Sequence, residues 1–244
     1  MEGGKSGPAK LSWHRATYYD NMCPAERWYF VTCPLCQCNG HSTCNESNIC
    51  TECQNNTTGA TCDSCKEGYY GAPQNGGICK TCDCNNLAKV CNGTNGKCHC
   101  GTRGVIGNRC EWCDTSDKYV GNPNDGGTCF YKLLTDYQFT FNLSKPDDHY
   151  YTQINFMNRP SAGDRDVDFS VNCSGFANLN ISYNSTSDPE GTLVDSNALC
   201  RNYKMKFTHK QYSFGNSENT TFYVYVYGFS TPFSLQVSLQ LNVD

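Results

Sequence analysis

The residues of this chain best placed to do chemistry are its cysteines. The stretch CTECQNNTTGATCDSC, residues 50–65, holds two C-x2-C pairs eight residues apart. As thiolates, four sulfurs at that spacing can hold a tetrahedral zinc ion. In an oxidising compartment the same four close disulfide loops instead. Between the pairs lies NNTT, two overlapping N-x-[ST] glycan acceptors that belong to the secretory pathway. The two chemistries need opposite redox environments, so the cysteines have to be assigned before any function can be.

The pattern around them assigns them. From Cys36 the spacing is C-x-C-x5-C-x5-C-x2-C-x8-C-x2-C-x13-C, ending at Cys79; from Cys82 it is C-x-C-x6-C-x6-C-x-C-x9-C-x2-C-x15-C, ending at Cys129. These are two eight-cysteine units whose starts lie 46 residues apart. In the second unit one C-x2-C has become C-x-C (Cys98, Cys100), which changes the bite of a metal chelate but not a disulfide framework whose neighbours need not share a partner. Nine sequons (Asn45, Asn55, Asn56, Asn92, Asn142, Asn172, Asn180, Asn184 and Asn219) spread over both halves, against roughly four expected from composition. Outside the units, Cys23 and Cys33 form one pair and Cys173 and Cys200 another, so all 20 cysteines can pair. Each unit is also near the size at which a chain needs covalent ties, since its few apolar residues do not offset ~1–2 kcal/mol of backbone entropy per residue. Disulfides are expected and zinc is not; no metal and no cofactor is expected elsewhere.

The elements that position these cysteines fall into two regimes. Seventeen cysteines lie between Cys33 and Cys129, whereas the chain after Phe130 is rich in Tyr and Phe. There the apolar period is two: Phe139, Phe141 and Leu143; Val167, Phe169 and Val171; Leu179, Ile181 and Tyr183; and Leu235, Val237, Leu239 and Leu241 each line one face. Tyr203–Phe207 is a further strand candidate, and FYVYVYGF, apolar on both faces, reads as a central one. Seven or eight strands in about 115 residues predict an all-β antiparallel sandwich. The expected order is a disordered or artificial leader (1–12), the tail of a preceding cysteine-containing module (13–35), two small disulfide-rich modules in tandem (36–81 and 82–130) and a membrane-proximal sandwich (131–244).

The strings within the units resemble a known family. Eight cysteines opening with C-x-C, and the loops GYYGAPQNGGIC and KYVGNPNDGGTC with their aromatic-Gly-x-Pro core, are similar to laminin-type EGF-like modules. That resemblance implies the pairs Cys36–Cys44, Cys38–Cys50, Cys53–Cys62 and Cys65–Cys79, then Cys82–Cys91, Cys84–Cys98, Cys100–Cys110 and Cys113–Cys129. Gly76-Gly77 and Gly126-Gly127 are expected to supply positive φ before the closing cysteine. Neither the D-x-[DN]-E-C calcium signature nor the N-x-D-P-N-x-V nidogen-binding loop is present. Longer strings, CQCNGHSTC, GTRGVIGNRCEWC and FYKLLTDYQFTFNLSKPDDHYYTQINF, resemble the attractin family, large single-pass cell-surface glycoproteins.

What this implies for function is a non-enzymatic extracellular segment. The expectation is a rigid spacer presenting distal ligand-binding modules in cell–cell interaction, receptor regulation or signalling. The alternative is direct binding of a protein or glycan ligand by the sandwich, through the DDHYY loop (Asp147–Tyr151) or the face carrying Tyr223, Tyr225 and Tyr227. Partners are an extracellular or cell-surface protein and N-linked glycans. With a net charge of −4 and pI near 5.7, nucleic acid is not expected. No apolar run reaches the ~20 residues of a membrane span and MEGGKSGPAK is no secretory leader, so membrane attachment is expected through a helix after Asp244, outside this soluble fragment. Among the histidines, His14, His41, His99, His149 and His209, none makes a metal-spaced pair, and His41 reads as a turn cap. GDRDVD (Gly163–Asp168) reads as a solvated loop, and no catalytic motif is present.

Overall fold

The computed structural model describes residues 36–45, 49–214 and 219–242. The expected Cys23–Cys33 pair, His14 and the two N-terminal segments lie outside them. The described chain divides into two compact units, one running to Ser64 and including Ala72–Ile78, the other built from Cys65–Gly71 and the chain from Cys79 onward.

The first unit is organised by its sulfurs. Cys36 joins Cys44, Cys38 joins Cys50 and Cys53 joins Cys62. Cys38 and Cys62 are buried, and with them His41. The ring does more than cap a turn. Nε2 reaches the Pro73 carbonyl at 2.8 Å, which only a donor can do, so Nδ1 is left to accept from the Asn55 amide at 3.2 Å. One imidazole thus ties the loop around residue 40 to the NNTT loop and to the proline turn.

Among the described residues the strands of the cysteine modules are short: β1 (Thr57–Thr58) in the first unit, β2 (Ser64–Cys65) at the boundary, and β3 (Tyr69–Gly71), β4 (Cys79–Thr81), β5 (Val105–Ile106), β6 (Trp112–Cys113) and β7 (Tyr119–Gly121) in the second. Cys65 joins Cys79, and the second module holds Cys82–Cys91, Cys84–Cys98, Cys100–Cys110 and Cys113–Cys129. The closing hairpin of the first module packs on the second: the Gly71 N–H donates to Gly93 O at 2.8 Å, and the Cys82 N–H to Gly68 O at 2.9 Å.

Only one glycine of each closing pair needs a positive φ. Gly126 has φ +83°, whereas Gly127 does not, and its role is close approach: a Cβ there would lie 1.9 Å from the Asn122 carbonyl oxygen. Gly77 is likewise barred from a side chain by Ala72 O at 1.8 Å. The expectation of positive φ at both glycines is therefore corrected at the second position, where sterics take the place of torsion.

The aromatic-rich half is a two-sheet sandwich of β8 (Cys129–Leu133), β9 (Tyr137–Leu143), β10 (Gln153–Asn158), β11 (Val167–Cys173), β12 (Asn178–Asn184), β13 (Thr192–Leu199), β14 (Tyr203–Phe207), β15 (Thr221–Tyr227) and β16 (Phe233–Leu241). One sheet has the order β13-β12-β15-β10-β8-β7, the other β14-β11-β16-β9. Most successive strands change sheets, so each pair of neighbours is assembled from distant sequence. Pairing is antiparallel except for β8 with β10, which run parallel. The chain leaves β8 for β9 in the opposite sheet and returns in β10, so β8 and β10 point the same way.

Period-two alternation builds the core. Ile154, Phe156, Leu179, Ile181, Phe222, Val224 and Val226 face Phe141, Leu143, Val167, Phe169, Phe207, Leu235, Val237 and Leu239, all buried. Each such side chain contributes ~1.5–3 kcal/mol of transfer free energy. The rings of Phe207 and Phe222 stack at 4.0 Å across the two sheets. Cys173, at the end of β11, joins Cys200, just after β13, and so ties one sheet to the other.

The glycine geometry gives a graded expectation. Gly127→Ala forces two backbone segments apart and costs about 1–3 kcal/mol. Gly126→Ala meets nothing within 4 Å and costs only the ~1 kcal/mol of a left-handed alanine. Thermal unfolding of the two variants should therefore place Gly127→Ala lower; the reverse order contradicts the steric assignment.

Candidate functional site

The feature that sets this chain apart from two modules strung before a sandwich is the seam between the second module and the sandwich. Strand β8 begins at Cys129, the last cysteine of the module, and runs on into the sheet. With β7 it forms a hairpin, Tyr119 opposite Tyr131 and Gly121 opposite Cys129, and with β10 it pairs through Phe156–Tyr131 and Asn158–Leu133. The module's last loop is thus the edge of the six-stranded sheet.

A second row of backbone bonds runs beside it. Gly101 O accepts from the Thr152 N–H at 2.8 Å and the Gln153 N–H at 3.2 Å, and the Arg103 N–H donates to Gln153 O at 3.0 Å. The Arg103 guanidinium donates to Asn142 O at 3.1 Å and lies 5.9 Å from the centre of the Tyr151 ring, within cation–π range. His99 stacks on Tyr150 at 4.1 Å. Tyr119 is buried under the seam and meets Tyr131 edge to face at 5.3 Å. Burial pushes its phenol up to about 12, with the neighbouring Arg103 opposing.

Asn155 specifies the register. It is fully buried on the outward side of β10. Its amide nitrogen donates to Thr128 Oγ1 at 3.1 Å and Cys129 O at 3.3 Å, while its oxygen accepts from Gln153 Nε2 at 2.6 Å. A buried amide without these partners costs ~1–3 kcal/mol, so a slipped strand is penalised directly.

The DDHYY stretch, the loop through which the alternative reading would bind a ligand, contains a 3-10 turn (Pro146–Tyr150) that faces the module. Asp148 is buried and accepts the Lys145 N–H at 2.8 Å; Tyr150 and Tyr151 are held by His99 and Arg103. The tyrosine face of β15 is half-buried, with Phe130 edge-on to Tyr223 and Tyr225 at 5.0 and 5.7 Å, and burial raises the Tyr225 phenol. In GDRDVD, Asp166 accepts from the His209 backbone N–H at 2.9 Å and from its ring Nδ1 at 2.7 Å, and pairs with Lys206 at 3.3 Å. Its two oxygens are thus taken up by the His209 backbone N–H, the His209 ring and the Lys206 ammonium. Cys36, Cys38 and Cys44 bring their sulfurs together as metal ligands would, but each is spent in a disulfide, and a disulfide sulfur is no thiolate ligand.

The sequons all lie outward. Asn142 and Asn172 are exposed on the outer face of the four-stranded sheet, Asn180 and Asn184 sit half-buried on that of the six-stranded sheet, and Asn219 is exposed just before β15. Asn45, Asn55, Asn56 and Asn92 are exposed in the modules. Of the NNTT pair, Asn55 gives its amide to His41, and its sequon threonine, Thr57, is buried and bonded to Gln54 O at 2.6 Å; Asn56 carries neither constraint. Sequence reading missed Arg103, Gly101, Tyr119 and Asn155. The one local signal was Asn155 itself, an amide inside the apolar run QINFM.

Comparison with known proteins places the architecture. A family described as Laminin/attractin EGF domain matches residues 36–79, one described as Laminin EGF domain matches 82–129, and one described as Attractin GBD-like matches 130–240. Protein tag-53 of Caenorhabditis elegans is 41% identical over 232 residues, 86% of this chain and 17% of that protein. The chain is an attractin-like family member. It is also 44% identical to laminin subunit beta-1 of Drosophila melanogaster across 115 residues, 41% of this chain and 6% of the laminin. Human laminin subunit alpha-3 is 43% identical over 109 residues, 41% of this chain and 3% of that subunit. The chain spans about a sixth of the tag-53 length and far less of the laminins. These domain types make it an extracellular protein of the adhesion and matrix kind, built from modules that are typically structural rather than enzymatic. Among the described residues no helix is long and apolar enough to cross a membrane.

The Asp166 cluster gives a pH prediction. The His209 backbone N–H first, then its ring and Lys206, holds the carboxyl at about 2, below the ~3.9 of an unfolded aspartate. A depressed carboxyl stabilises the fold above the unfolded value and loses that contribution as pH falls toward the folded one. The thermal midpoint of the wild type should exceed that of Asp166→Asn at pH 5, with the gap closing between about pH 4 and 2. A gap independent of pH contradicts the assignment.

Proposed function

We infer that this chain is a non-enzymatic spacer of a cell-surface glycoprotein, holding modules that lie beyond it at a fixed distance and orientation. The observation that carries the reading is the seam. A module tethered by a linker would swing, because an interface of ordinary size leaves relative domain motion as the default. Here module and sandwich share a strand, a second row of backbone bonds and a buried asparagine, so bending the joint means breaking a sheet. The proposed division is two laminin-type modules, 36–81 and 82–130, before a sandwich from 131, with the cysteine pairs described above as its covalent ties. Sequons on both outer faces of the sandwich favour glycans that keep a long-lived extracellular surface soluble.

The joint is testable by distance. With spin labels carried on non-natural side chains at Lys97 and Gln240, both exposed, dipolar spectroscopy should return a single narrow distance distribution. Arg103→Ala combined with Asn155→Ala should broaden it. A wild-type distribution already broad or multimodal rules out a rigid spacer.

A further inference from the structure

The two outer faces of the sandwich are chemically unlike. That of the four-stranded sheet is polar, presenting Thr140, Ser170, Gln236 and Gln240 among others, whereas the six-stranded sheet presents Phe130, Tyr223, Tyr225 and Tyr227 and, at its far side, Leu193 and Leu199, which are 60% and 61% exposed. Between the tyrosine row of β15 and these leucines runs the outward row of β12, Asn178, Asn180, Ser182 and Asn184, which is polar; exposed aromatic surface of this kind marks a place for an occupant. One sequon stands in the middle of this face. Asn180, of Asn180-Ile181-Ser182, points outward from β12 directly opposite Tyr225, with Ser182 opposite Tyr223 and Asn178 opposite Tyr227. Its side-chain oxygen accepts from the Tyr227 hydroxyl at 3.1 Å and from the Asn197 N–H at 3.0 Å. Both contacts engage the oxygen and orient the amide, and neither uses the nitrogen on which a glycan is built.

We propose that Asn180 carries an N-glycan whose first sugars lie across the tyrosine face and form its permanent cover. Directly opposed residues on neighbouring strands have Cβ atoms ~5 Å apart, so the first N-acetylglucosamine leaves Asn180 alongside the Tyr225 ring. A pyranose offers an apolar C–H face rimmed by hydroxyls. A tyrosine face is matched to it, giving ring carbons for stacking and a phenol for hydrogen bonding. The modification uses the lipid-linked oligosaccharide of the secretory pathway: a bond forms between Asn180 Nδ2 and C1 of the first sugar, the C1–oxygen bond to the pyrophosphate carrier breaks, and the nitrogen gives up one proton. It takes place before β12 is closed between β13 and β15. The inference does not depend on the rigid spacer, since a hinged joint would leave this face and its sequon unchanged.

The chain, secreted from mammalian cells held at the oligomannose stage, supplies the test. Glycopeptide mass spectrometry should find Asn180 occupied. An endoglycosidase cutting between the first two sugars should act on the Asn180 glycan about tenfold more slowly in the native protein than after denaturation, the ratio that ~1.4 kcal/mol of docking imposes. Hydroxyl-radical labelling of Tyr223 and Tyr225 should rise severalfold in Asn180→Gln. An empty Asn180, or a glycan cut equally fast in native and denatured protein, overturns the proposal, and both readings come from the wild type should the variant fail to be secreted.

Discussion

Strand β8 belongs to two structures at once. Its first residue, Cys129, closes the last disulfide loop of the second module, and four residues later Leu133 is in the core of the sandwich. The backbone between them is bonded on one side to the module's own hairpin and on the other to β10. Neither half can be moved without opening that ladder. An edge strand is normally a hazard that a protein must cover. Here the module supplies the next strand, so β10 has a neighbour on both sides.

The two halves reach stability by different means, and the seam is where these meet. The modules have few buried apolar side chains and rely on closed loops that restrict the unfolded chain. The sandwich buries enough Leu, Ile, Val and Phe to fold around a single inter-sheet disulfide. Arg103 and Tyr119 come from the disulfide-rich side, Tyr151 and Asn142 from the apolar side. Each half therefore contributes what the other lacks: fixed loops to present a cation and a ring, and a rigid sheet to receive them.

Much of this was legible because two sequence codes are strong. Cysteine spacing and the aromatic-Gly-x-Pro loops marked both modules, strict alternation marked β9, β11, β12 and β16, β14 was a further candidate, and β15 was marked by being apolar on both faces. Strands β8, β10 and β13 were not legible, each for a physical reason. β8 starts on a cysteine that reads as part of the module. β10 is covered on both sides, so Asn155 and Asn158 are buried in it and the apolar–polar code breaks down. β13 lies at the edge with a register shift against β12, which disrupts its period. The seam itself rests on contacts between residues 101–103 and 151–153, about fifty positions apart, which no local pattern encodes. DDHYY entered the alternative reading as a ligand candidate because its charge and aromatic content are the same whether the partner is a ligand or the protein's own neighbouring module.

The central claim is that module and sandwich are a single cooperative body joined through β8. Native-state hydrogen exchange read by segment tests it most directly, because local openings and global unfolding separate by their free energies. The account predicts that residues 129–133 and 153–158 exchange only with the opening that also exposes β15 and β16. Release of 129–133 in a separate, lower-energy opening, with β15 and β16 still protected, would contradict it.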